Sequence, residues 1–412
     1  MSEPPTKPRD VESAEETAEI GADATIADSD AETDADTDTV DGTDVDADAE
    51  NDSGIEPVNA LDAAAADVGW PDFEAENGTR DLLHRLRVPA IALGRLQEVA
   101  VWLSGAQGAS PPREPQQVRA VVFAADHGVS ALGVTPPAPS TSARVREMRA
   151  GRGFASIFAA SCGAGVRVVD VGVDDDDAGP DRVRRSSERV DHGAALTPAE
   201  VELAVATGAR IADEEVDSGA DLLIAAHVGV GADIVAAAIV SVMTNTEPVK
   251  ALGLTSHLDD ESWMRAMIAV RDAHRYGAEN RYDIMTLLGR IGGTDFAALT
   301  GFVLRAAARR TPVLLDGPVV CAAALMARDV SPRAIRWWQA GSRTPGQTHA
   351  VALEELQLVP LLDLEVDLDE GVGSLLSLSI VRAAVNAVVG LAIETDASAQ
   401  FLEPTTPPST DV

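Results

Sequence analysis

Hydrophobic residues fall into two rhythms along this chain. Largely apolar runs at 118–125, 166–173, 222–226, 249–252 and 312–315, broken only by Arg119, Arg167, Asp170, Gly172 and Lys250, stop abruptly at glycine, histidine or acidic residues. Their stops include Asp126-His127-Gly128, His227-Val228-Gly229-Val230-Gly231, Gly253 and Asp316-Gly317. Runs this apolar suit strands buried on both faces, the condition of a parallel sheet. Between them lie stretches with helical spacing. The clearest opens at Thr197-Pro198-Ala199-Glu200, which reads as a capping box with Pro at the first helical position. Its stripe Val201, Ala204, Val205, Ala209, Ile211 and Ala212 follows at roughly helical intervals. Residues 81–106 carry a similar pattern broken at Pro89. Strands alternating with helices predict an α/β, Rossmann-like parallel sheet flanked by helices, with polar and glycine residues where strands end and ligands bind.

Charge changes the picture at the N-terminus. Residues 1–56 hold 20 Asp and Glu against Lys7 and Arg9, about half of the formal charge of −35. Such a segment repels itself and has little to bury. The domain reading is therefore a disordered acidic tail over 1–76, a helical segment over 77–117 and the Rossmann-like domain over 118–372. A C-terminal helix over 373–403 and a disordered tail over 404–412 complete it. The remaining negative balance argues against nucleic-acid and membrane partners. With aromatics at 3%, the core is built from Ala, Val, Leu and Ile. Cys162 and Cys321 make neither a disulfide framework nor a zinc site. The start Met1-Ser2-Glu3-Pro4 carries no export pattern, and a cytoplasmic protein is expected. The apolar stretch 222–243 is interrupted by His227, Asp233 and paired glycines, which fits strand, turn and helix better than a membrane span.

Gly229 and Gly231 could bring backbone N–H groups to a phosphate, or serve only a tight turn. By itself this pattern reaches no further than an α/β protein for a small molecule. A series of segments then narrows it: Leu93-Gly94-Arg95-Leu96, Val121-Val122-Phe123-Ala124-Ala125-Asp126-His127-Gly128-Val129 and Val168-Val169-Asp170-Val171-Gly172-Val173. Gly292-Gly293, Pro312-Val313-Leu314-Leu315-Asp316-Gly317 and Glu370-Gly371-Val372-Gly373 continue it in order. The chain resembles the nicotinate-nucleotide:dimethylbenzimidazole phosphoribosyltransferases of cobalamin lower-ligand synthesis. That resemblance implies a small helical domain built from both chain ends, and a homodimer. It implies phosphoribosyl transfer from nicotinate mononucleotide to a benzimidazole-type base, with no metal or cofactor. Glu370 stands in the place of the family's general base, with Gly371 and Gly373 beside it.

Departures gather where the ligands should bind. The family's Gly-Glu/Asp-Met-Gly-Ile-Gly-Asn-Thr-Thr reads Ala226-His227-Val228-Gly229-Val230-Gly231-Ala232-Asp233-Ile234 here, with a carboxylate near the expected phosphate. A family lysine falls on Ala266, and the only lysines are Lys7 and Lys250. Arg-Leu-Gly before the base becomes Asp367-Leu368-Asp369. Arg265, Arg343 and His227 are the candidate substitutes for the missing donors, with Leu93 and Gln107 for the wall of the base pocket. Two readings follow: a working transferase with a rearranged anion site, or an impaired relative that binds a base or partners an active paralogue. His84, His192, His257 and His274 show no metal spacing, and Asp126-His127-Gly128 reads as structural support.

Overall fold

The computed structural model describes residues 58–85, 90–134, 139–254 and 258–402. Residues 86–89 (with Pro89), 135–138, 255–257 and the chain outside 58–402 lie beyond that description, as do most of the expected acidic tail and all of the expected C-terminal one.

Four of the apolar runs are strands: β1 (Val118–Ala125), β2 (Gly165–Gly172), β3 (Leu222–Val228) and β4 (Val313–Leu315). A short β5 (Trp338–Ala340) completes a sheet of order β2-β1-β3-β4-β5, parallel at every pairing. The fifth run is not a strand. Val249 to Leu252 belongs to the short helix Pro248–Leu252. Pro248 fits the first helical turn, where its missing N–H is no loss, and Gly253 ends the helix at φ 69°.

Alternation along the strands sorts the core into two layers. Val121, Phe123, Ala125, Leu223, Ala225, Val313 and Leu315 pack with the helices Pro198–Asp217, Ala232–Thr244, Thr294–Ala308 and Gly317–Val330. Val118, Ala120, Leu222, Ile224 and Leu314 face the other way, onto the helices Arg95–Gln107 and Val372–Leu402. Helices from both ends of the described chain thus meet on one face of the sheet. Val372–Ile393 is long and apolar enough to cross a membrane, but Leu375, Leu378, Val381, Val385 and Val388 of it are buried in this layer.

The tail expected to reach residue 76 ends earlier. Helix Ala60–Ala65 is capped by Asn59, whose side chain accepts from the Asp62 N–H at 2.9 Å. It buries Leu61 and Ala64, and helix Phe73–Arg85 begins before the expected boundary. Charge density had masked two apolar anchors at helical spacing.

The sheet order places the site. From β1 the chain runs outward to β2, and then returns to lay β3 on the other side of β1. The loops after β1 and β3 part at this reversal, and the crevice between them is where such sheets receive ligands.

Candidate active site

A cavity of about 520 Å3 opens at the C-terminal ends of β1, β3 and β4. Gly229, Val230, Gly231 and Asp233 from the β3 turn line it, with Asp316 and Gly317 after β4 and Asp367 to Glu370 from the last loop. Arg144, Glu147 and Phe154 close the opposite side.

Glu370 is buried, at 3% exposure, and its backbone is held at φ 73°. A non-glycine residue in this region costs about 1 kcal/mol or more and persists only where its surroundings hold it. They do so here: its N–H donates to the main-chain oxygen of His227 at 2.9 Å. Arg144 Nε donates to Glu370 Oε1 at 2.9 Å, and the Ala155 N–H donates to Oε2 at 3.2 Å. Ala155 lies in the first turn of helix Gly153–Cys162, so the carboxylate sits on a helix N-terminus, though not that of the helix that follows it. Gly371, at φ 84°, stands where a Cβ would meet Ala226 at 3.0 Å, and Gly373 where one would meet Ser342 Oγ at 1.8 Å.

The rest of the cavity is acidic. Asp369 pairs with Arg144 NH1 at 3.2 Å, and Glu147 is bonded by Arg152 at 2.6 and 2.9 Å. Burial, with repulsion from Asp369, pushes the Asp316 carboxyl up to about 6 although Ser374 N–H donates to it at 2.6 Å. Asp233 occupies the first turn of helix Ala232–Thr244, the place where an incoming phosphate would find free N–H groups. Enclosure, then repulsion from Asp369, push its carboxyl upward as well.

Beneath the cavity, three buried side chains meet at the sheet reversal. His127 follows β1, His227 lies in β3 and Asp295 opens helix Thr294–Ala308. Asp295 Oδ2 is 3.0 Å from His127 Nε2 and 2.9 Å from His227 Nε2. Burial works against the Asp295 anion, but the two imidazoles hold its carboxyl well below the usual range. Burial likewise opposes a charged His227, and contact with Asp295 overrides it and raises the imidazole. Gly293 makes room, since a Cβ there would stand 2.3 Å from His127 Cε1. Asp126 is structural, accepting from Thr141 Oγ1 and from the N–H groups of Asp174 and Val230, which ties three loops together.

Of the residues singled out in the sequence, Glu370, Gly229, Gly231, His227, Asp233, Asp316, Gly317 and Asp367 to Asp369 line this one cavity, while Gly371 and Gly373 are buried and do not. Four candidates face elsewhere. Arg265 donates to Leu132 O at 2.9 Å, Glu261 at 2.8 Å and Ser262 Oγ at 2.8 Å. Arg343 reaches Asp363 at 3.4 Å. Leu93 packs against the layer around Arg95–Gln107, and the Gln107 amide is taken up by both main-chain groups of Arg113 at 2.8 Å. Sequence reasoning missed Arg144 and Asp295. Asp295 had one signal, the paired glycines just before it; Arg144 had none.

A parallel α/β fold, a cavity at the sheet reversal and a carboxylate on a glycine-flanked loop define a small-molecule enzyme class. Residues 68–399 match a family model described as "Phosphoribosyltransferase". Nicotinate-nucleotide--dimethylbenzimidazole phosphoribosyltransferase of Mycobacterium avium (strain 104) is 46% identical over 332 residues, 79% of this chain and 95% of its own. The protein of the same name from Corynebacterium efficiens is 41% identical over 333 residues, covering 81% of this chain and 90% of that one. The crystal structure of the Thermus thermophilus protein superposes with a TM-score of 0.70 at 32% identity, over 77% of this chain and 96% of that one. This chain belongs to the nicotinate-nucleotide:dimethylbenzimidazole phosphoribosyltransferase family.

Proposed function

We propose that this chain binds a benzimidazole-type base in the cavity around Glu370, and that it has lost most of the transfer from nicotinate mononucleotide that names its relatives. The observation that carries this reading is the charge of the cavity. Asp233, Asp316, Asp367, Asp369 and Glu370 face it, and the guanidinium that lines it, Arg144, already serves Asp369 and Glu370. A nucleotide phosphate would enter against these carboxylates with neither the Asn-Thr-Thr donors nor the lysine of the family. Each lost charge-assisted hydrogen bond is worth about 1.5–3 kcal/mol, so two of them correspond to roughly a hundredfold or more in affinity. A flat azole is suited to the same space. Phe154, Val230, Pro318, Val319 and Leu368 offer apolar contact, and Glu370 accepts a ring N–H. In this role the chain acts as a base-binding or regulatory partner, as a homodimer or beside an active paralogue.

The held geometry of Glu370 favours a second reading, in which transfer persists with Glu370 as general base. The azole nitrogen then attacks C1′, the C1′–nicotinate bond breaks with its electron pair leaving on nicotinate, and Glu370 takes the azole proton. Purified protein incubated with nicotinate mononucleotide and dimethylbenzimidazole, and followed for α-ribazole phosphate, separates the two. The first reading expects product formation near background together with calorimetric binding of the base that weakens about tenfold in Glu370→Gln. Steady turnover abolished by Glu370→Gln would establish the second. Absence of both product and base binding would overturn the two together.

A further inference from the structure

We propose that His127, His227 and Asp295 form a site for a divalent first-row transition-metal ion at the floor of the cavity. Two imidazoles and one carboxylate are a ligand set that leaves coordination positions open. Ligands at right angles on an ion with bonds of about 2.1 Å stand about 3.0 Å apart. Asp295 Oδ2 stands 3.0 Å from His127 Nε2, to which it is hydrogen-bonded without an ion, and 2.9 Å from His227 Nε2, and the three donor atoms lie within 4.8 Å of one another.

The contact at His227 is the more telling. Its Nε2 is buried and makes no hydrogen bond, although Asp295 Oδ2 is 2.9 Å away. At 2.9 Å a missing hydrogen bond means that the ring N–H direction does not run to the carboxylate oxygen, whereas His127 Nε2 does hydrogen-bond to the same Asp295 Oδ2. A hydrogen-bonded His–Asp pair would aim the ring N–H at the oxygen instead.

Supporting contacts orient the side chains of His127 and Asp295, as they do around bound metals, and one fixes the backbone of His227. Ser187 Oγ lies 3.3 Å from His127 Nδ1, the Phe296 N–H donates to Asp295 Oδ1 at 2.9 Å, and the main-chain oxygen of His227 holds the N–H of Glu370. His227 lines the cavity, so the open positions of the ion face whatever binds there. Position 227 carries an acidic residue in the family pattern, so the second imidazole is this chain's own feature. The inference stands apart from the base-binding reading and needs no activity.

The test uses the untagged full-length protein, stripped with chelator and titrated with Co(II) and with Zn(II). One equivalent is expected to bind, with weak visible Co(II) bands of a five- or six-coordinate site. Affinity is expected to fall by about 100-fold or more in His227→Gln. X-ray absorption at the zinc edge of the wild-type protein keeps the test decisive should that variant fail to fold, since two imidazoles are expected among the ligands. No stoichiometric binding, a ligand set without imidazole, or affinity unchanged in a folded His227→Gln would overturn the site in favour of a plain His–Asp–His hydrogen-bonded cluster.

Discussion

The two ends of the sheet obey different rules. Beneath it, the helices Pro198–Asp217 and Thr294–Ala308 approach until Gly208 lies where a Cβ would stand 1.8 Å from the main-chain oxygen of Ala298, and Gly301 where one would stand 2.3 Å from that of Val205. At the C-terminal edge, carboxylates crowd around a strained Glu370 with one guanidinium among them. The first region is held by shape, which tolerates little change. The second is held by charge, with five carboxylates of Asp233, Asp316, Asp367, Asp369 and Glu370 lining it beside Arg144. On the proposed reading, the scaffold is kept while the anion site differs.

Three substitutions sharpen that contrast, in order of expected effect. Gly208→Ala forces two packed helices apart and should destabilise the chain by about 3 kcal/mol or more, or prevent folding; urea unfolding measures this. Substitutions at the cavity should behave differently. The folded-state value of Asp316, about 6, lies above its ordinary 3.8. The folded chain therefore holds an extra proton between about pH 4 and 6, and the contribution of this group to stability falls as pH rises through that window. Relative to wild type, Asp316→Asn should gain roughly 2–3 kcal/mol between pH 4 and 7, read from urea midpoints at each pH. A flat difference between the two proteins would mean that Asp316 is solvated. The smallest effect is on ligand binding. Asp369→Asn should bind nicotinate mononucleotide about tenfold more tightly than wild type, with unfolding unchanged, as measured by calorimetry. No gain would place the repulsion on Asp233 or Asp367 instead.

The sequence disclosed the scaffold better than the site. β1 and β3 follow from largely apolar runs, and the capping box at Thr197 is realised, with the Thr197 side chain accepting from the Glu200 N–H and Glu200 Oε2 accepting from the Thr197 N–H at 2.8 Å. Signals of this kind are local. β5 was hidden because Trp338-Gln339-Ala340 is too short to show a pattern, and the helix at Pro248 because Val249, Ala251 and Leu252 fit a strand equally well. The site was hidden for another reason. Arg144 and Glu370 are 226 residues apart, His127 and Asp295 are 168 apart, and only the parallel crossovers bring them together. Glu370 was legible by resemblance alone; its partners were not.

The central claim is that the cavity accepts the base and rejects the nucleotide. Calorimetric titration of the wild-type protein with dimethylbenzimidazole and with nicotinate mononucleotide, in the same buffer, tests it most directly. The account expects saturable binding of the base, and binding of the nucleotide weaker by at least about 100-fold. Nucleotide binding as tight as that of the base would contradict it, and would return Glu370 to the role of a working general base.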